Sequence, residues 1–138
     1  MTDITPALAE IWQRYAPAPP DHATLLRLEG MASQARIVND GGMSNGISLQ
    51  NWLAVSLHDA RGKLTGLAHF PPTHGQRLEY LPLEYPIGGQ VINKPQQGGE
   101  VVYIVADPKE GYKIAHAGLP CVITFTPRSL ERQRPPHA

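Results

Sequence analysis

Apolar residues first recur at helical spacing. Over 5–15, Leu8, Ile11, Trp12 and Tyr15 fall three and four apart, which predicts a short amphipathic helix with Thr5 able to cap it and Pro6 at its first position. Repeated proline in APAPP (16–20) ends that helix, because proline lacks a donor and holds its neighbour extended. A second helix is expected after Asp21 as N-cap, with Leu25, Leu28, Met31, Ala32 and Ala35 at the same spacing. Gly30 inside it costs about 1 kcal/mol relative to alanine. NDGGMSNG (39–46) then gathers turn formers and marks the change from helical to strand period. Beyond it, 47–58, 63–70, 78–83, 87–92, 100–106, 112–115 and 120–126 are short apolar or alternating runs separated by Gly, Pro, Asn or Asp. HDARGK joins the first two tightly, NKPQQGGE forms a looser link before 100–106, and DPKEGY another before the last pair. Connections this short predict antiparallel pairing, since a parallel crossover takes a dozen residues or more. The expected fold is α+β: two N-terminal helices, then a mostly antiparallel sheet of about six or seven short strands.

Composition narrows the picture. A chain of 138 residues with 41% apolar side chains closes one hydrophobic core, so a single domain is expected, with a helical segment at 1–38, a β-rich core at 47–126 and a tail at 127–138. Twelve basic against twelve acidic residues leave no net charge, which removes the global electrostatic case for nucleic acid or an anionic membrane as a partner. Arg128, Arg132 and Arg134 in RSLERQR read as part of a solvated tail. The lone Cys121 cannot close an intramolecular disulfide or build a cysteine-rich zinc site, and favours a reducing compartment. MTDITPALAEIW has no basic stretch leading into an apolar run, and nothing reaches the roughly 18 apolar residues of a membrane span; a soluble, cytoplasmic protein is expected. No cofactor motif emerges, because GGMSNG has neither the lysine of a P-loop nor a preceding strand.

The segment NWLAVSLHDARGKLTGLAHFPP (51–72) has the order of a hairpin that can carry chemistry. Antiparallel strands joined by a tight turn bring the start of one beside the end of the other, so a thiol and an imidazole placed there can meet and the thiol pKa can fall. Residues 48–72 resemble the corresponding hairpin of the CheD family of chemotaxis receptor glutamine deamidases and, more distantly, of the cytotoxic-necrotizing-factor toxins. LAVSLHD (53–59), the turn ARGKLTG and LAHFPP (67–72) match that pattern in order and spacing. The resemblance implies a general base at His69 and places the family's nucleophilic cysteine on Trp52, an indole that donates one hydrogen bond and attacks nothing. Thiol chemistry at that position is thereby excluded. An enzyme reading, as a divergent hydrolase or deamidase-like protein, has to recruit Ser48, Ser44 or Cys121 as nucleophile for His69, and requires one of them within hydrogen-bond reach.

Cys121, in GLPCVITFTP, sits at the head of an apolar strand, where a cysteine ordinarily packs as a small hydrophobe. His58, His69, His74 and His116 could converge with Asp59 on a metal, but HFPPTH is not a ligand spacing and ordinary hydrogen bonding is the expected role. LEYLPLEYP (78–86) places Glu79 beside Tyr80 and Glu84 beside Tyr85 around a proline, which suits an edge strand with solvated carboxylates and half-buried tyrosines. Tyrosines there also suit protein recognition. The leading expectation is therefore a protein-binding domain whose surface draws on Tyr80, Glu84, Tyr85, Asn93 and Gln96 together with the glycine-rich 39–46 connection. Bacterial immunity, antitoxin or secretion-accessory roles fit a chain of this size. Self-association through the Trp12 helix is a further expectation, since the proline linker lets that helix dock on its own chain or on a neighbour.

Overall fold

At the centre lie β5 (Leu53–His58) and β6 (Leu64–Phe70), the hairpin anticipated from the sequence, in a computed structural model that describes residues 3–73, 75–94 and 101–125. Their turn is closed by Asp59, whose Oδ1 accepts the backbone N–H of Arg61 and of Lys63, each at 2.9 Å. On the β5 side follow β2 (Ala35–Ile37) and β1 (Ala16–Pro17), and on the β6 side β7 (Glu79–Leu81), giving an antiparallel sheet ordered β1-β2-β5-β6-β7. The sheet has two buried faces. Helix α1 (Thr5–Arg14) covers one, with Leu8 and the following Tyr15 packed against Trp52, Ala54 and Leu67, while Ile11 and Trp12 flank them. Arg36 lies over the Trp12 ring and donates to its carbonyl at 2.8 Å. The apolar stripe of α1 is thus occupied by its own chain. Thr5 falls inside the helix rather than capping it, and its hydroxyl donates to the Leu64 carbonyl.

On the opposite face Leu53, Val55, Leu57, Ala68 and Phe70 meet Leu25 of α2 (Ala23–Leu28). This second helix is shorter than its periodicity suggests. It is capped by His22, whose Nδ1 accepts the Thr24 N–H, rather than by Asp21. It ends at Glu29 in the left-handed region, where the Gly30 N–H bonds the Leu25 carbonyl and the Glu29 N–H the Leu26 carbonyl, the paired bonds that stop a helix. Residues 32–34 make a single 3-10 turn and the chain enters β2, so the expected 1–38 helical segment also supplies two strands of the sheet.

A second sheet, ordered β8-β10-β9, is formed by β8 (Gln90–Ile92), β9 (Tyr103–Val105) and β10 (Cys121–Ile123). Between β9 and β10 runs α3 (Pro108–His116), and the two strands pair in parallel. This corrects two expectations, a strand at 112–115 and a short link at DPKEGY. The residues before and after it have helix-boundary chemistry: Asp107 precedes Pro108, Glu110 is in the first turn, Lys113 and His116 are in the last, and Gly118 follows. Gly111, which reads as a turn residue, is instead where the helix presses on β10; a Cβ there would collide with Ile123, and Cys121 Sγ donates to the Gly111 carbonyl at 3.4 Å. Leu28 and Phe125 join the α3 cluster (Ile92, Tyr112, Ala115, Cys121, Ile123) to the core of the first sheet.

The expected single strand at 47–58 is also divided. Met43–Ser44 (β3) and Ile47–Ser48 (β4) form a separate small hairpin through Asn45 (φ 51) and Gly46 (φ 77), as a two-residue turn of this kind requires. The described residues thus hold three helices and ten short strands in three sheets, an α+β architecture with mostly antiparallel pairing. No helix among them is long and apolar enough to cross a membrane.

Candidate functional site

His69 enters the sheet through its register. Opposite Ala54 on one side and Glu79 on the other, it points to the face that α1 covers and has 0% exposure. Its Nδ1 lies 3.0 Å from the Glu79 carbonyl and its Nε2 2.9 Å from the Tyr15 hydroxyl. A carbonyl only accepts, so Nδ1 carries the proton and Nε2 accepts from the phenol. The two rings meet edge to face with centroids 5.8 Å apart. Burial pushes the imidazole below its ordinary 6.5, outweighing the opposing pull of the Glu79 carbonyl, the Glu79 carboxylate and Asp40. The Tyr15 phenol is pushed up to about 12, chiefly by burial and then by Asp40. His69 is therefore a neutral, fully bonded ring.

Glu79 extends the cluster. Its side chain is buried rather than solvated, and Oε1 accepts both the Ser44 hydroxyl at 3.0 Å and the Asn45 amide at 2.9 Å. One residue thereby binds the His69 ring through its backbone and the β3–β4 hairpin through its carboxylate. The hydrogen-bonded set Tyr15, His69, Glu79, Ser44 and Asn45 joins the C-terminal cap of α1, β6, β7 and the small hairpin.

The nucleophiles considered for His69 are placed elsewhere. Ser48, on exposed β4, accepts the Gln50 N–H at 3.3 Å, and the Ser44 hydroxyl is given to Glu79. Cys121 lies in the second sheet with 0% exposure, its thiol pushed up by burial and turned to the Gly111 carbonyl. The thiolate is the reactive form. Alkylation of native protein by iodoacetamide is accordingly expected to be slow at neutral pH and to speed up strongly on denaturation; fast labelling of the folded chain would contradict this placement. Trp52 is buried beneath α1 as an apolar anchor.

Of the expected binding residues, Tyr80 turns inward against Phe125, with ring centroids 6.3 Å apart and its phenol pushed up to about 12 by burial. Asn93 donates its amide to the Ala115 and Leu119 carbonyls at 2.8 and 3.2 Å, closing the end of α3. Glu84 and Tyr85 are exposed, following the cis Leu81–Pro82 bond. Gln96 and His74 lie outside the described residues, as does the tail from 126. Among the described residues no three His, Cys, Asp or Glu side chains converge as a metal site. His116 bonds the Glu29 carbonyl at 2.8 Å, and His58 sits at the other end of the central hairpin from His69.

Sequence reasoning missed the pairing of Tyr15 with His69. The periodicity does place Tyr15 on the buried face of its helix, but no local pattern links positions 54 residues apart. The burial of Glu79 had a weak signal: Asn45-Gly46 marks a two-residue hairpin, and a hairpin that short needs an anchor outside itself.

Fold and network together define an α+β domain in which a buried histidine fastens a helix to a sheet edge. Comparison with protein-family models, with curated proteins and with solved structures gives no match.

Proposed function

We propose that the chain is a protein-binding domain whose recognition surface is the β3–β4 hairpin together with the turn that follows β7. The observation that carries this reading is the double hydrogen bond of Ser44 and Asn45 to the buried Glu79 carboxylate. It fastens two of the segments singled out in the sequence, the glycine-rich connection and the Leu-Glu-Tyr run. On the small hairpin Met43 is 61% exposed and Ile47 is also exposed, as are Leu83 and Tyr85 in the turn that follows β7. Large apolar side chains held on a fixed backbone supply contact area at small entropic cost, which favours recognition. β7 is in addition the edge of its sheet. The enzyme reading gains no comparable support, because the hydroxyl at the His69 ring belongs to Tyr15 and neither Ser48 nor Cys121 is bonded to it.

Met43→Asp combined with Ile47→Asp is the direct test. Both side chains are exposed, so the thermal midpoint is expected to stay near that of the parent, while recovery of the binding partner in a pull-down falls about tenfold or more. Leu83→Asp is expected to act in the same direction. Recovery unchanged in all three substitutions would remove this surface.

A further inference from the structure

The turn end of the central hairpin holds a different set of groups. Pairing of β5 with β6 slips between Leu57 and His58, and a bulge of this kind re-aims the side chain that follows it. His58, still opposite Leu64 of β6, also exchanges both backbone hydrogen bonds with Gly89, at 2.8 and 2.9 Å, forming the seam between the two main sheets. Its half-buried ring lines a cleft of about 270 Å³ with Gly62, Val91 and Lys94. An adjoining hollow of about 300 Å³ shares those last three residues and adds Arg61 and Asp59. We propose that this cleft binds the phosphate group of a small ligand, held between Lys94, Arg61 and His58.

Three features support the assignment. Lys94 lines both hollows, His58 the first and Arg61 the second, so two cations and an imidazole stand against one carboxylate, Asp59, and the described lining keeps a net positive charge. The frame is rigid: His58 is fixed by Gly89, and Asn93, immediately before Lys94, is pinned to the end of α3 by its amide. No hydrogen bond among the described residues occupies the His58 ring, which leaves its nitrogens for a ligand. Burial, and then the Lys94 charge, hold this imidazole below its ordinary value, while Asp59 acts the other way. A bound phosphate offsets Lys94 and accepts from the protonated ring, so binding raises the His58 pKa. Arginine and lysine heads with a histidinium suit a tetrahedral dianion better than a carboxylate, which has one charge to share. His58 lies at the opposite end of the hairpin from the Ser44–Asn45–Glu79 clamp, and the phosphate site does not depend on the proposed protein-binding surface.

The test follows the histidine Cε1–H signals of the full chain by NMR across pH, with inorganic phosphate against chloride at matched ionic strength, the His58 signal being assigned with His58→Gln. Phosphate is expected to raise the His58 midpoint and leave the buried His69 unmoved. Lys94→Gln and Arg61→Gln, both at exposed positions, are each expected to weaken phosphate about tenfold with an unchanged thermal midpoint. Tighter binding of an alkyl phosphomonoester than of inorganic phosphate would assign the ligand as a phosphomonoester, and the reverse order would assign free phosphate. A His58 midpoint that phosphate does not move overturns the proposal. So does an equal shift with acetate, or one that survives in the Lys94→Gln, Arg61→Gln double variant.

Discussion

Replacing Gly88 by alanine is expected to lower the stability of the fold by about 3 kcal/mol or more, the sum of left-handed strain and forced overpacking. The residue has φ +84, and a Cβ there would lie 2.5 Å from both the His58 carbonyl oxygen and the Thr65 hydroxyl. Neither neighbour can retreat. The His58 carbonyl is bonded to the Gly89 N–H, and Thr65 Oγ1 donates to the Ile87 carbonyl at 2.6 Å. In a domain of this size the loss corresponds to a fall in thermal midpoint on the order of 10 °C. Gly62→Ala separates the two causes. Its φ is +85 with nothing within 4 Å of the added carbon, so it should cost only the backbone strain, about 1 kcal/mol. Equal losses for the two variants in urea denaturation would show that conformation, and not the close approach of the two sheets, makes Gly88 indispensable.

The second large effect concerns the buried histidine. Tyr15→Phe is expected to destabilise by about 1 to 3 kcal/mol at pH 8, because it leaves His69 Nε2 buried with no donor. The same ring sets an acid limit. His69 has a folded pKa below its unfolded 6.5, so the unfolded chain takes up a proton first. Its contribution to stability is complete above about pH 6.5 and is lost as the pH falls from there through the folded value, at about 1.4 kcal/mol per pH unit in that window. His58 is shifted in the same direction and adds to the slope. The pH dependence of denaturant midpoints for parent, His69→Gln and His58→Gln would resolve the two; a slope unchanged in His69→Gln would show that this histidine does not set the limit.

How far the sequence reaches is visible in particular elements. Helix α1 and the β5–β6 hairpin follow from local patterns, because their apolar stripes and turn residues lie within one window of chain. Helix α3 does not: Gly111 mimics a turn, and the reason for it is the passage of Ile123 on another element. The second helix stops early for a similar reason, as Ala35 pairs with Val55 and tertiary pairing outweighs helical periodicity.

The candidate site divides in the same way. Histidine 69 could be singled out by its place in a hairpin, yet its role depends on Tyr15 and Glu79, which reach it from a helix and an edge strand distant in sequence. Glutamate 79 looks solvated beside a proline, but becomes a buried clamp once the β3–β4 hairpin folds over it. By itself the sequence determined the α+β class, the leading amphipathic helix and the central hairpin, since periodicity and turn chemistry act over a few residues. Only the tertiary structure decided that the end of this hairpin first marked for chemistry is sealed under α1, while the other opens beside Lys94 and Arg61. Sheet register and a single bulge set which side chains face a helix and which face a cleft, and both arise from pairings between residues far apart in the chain.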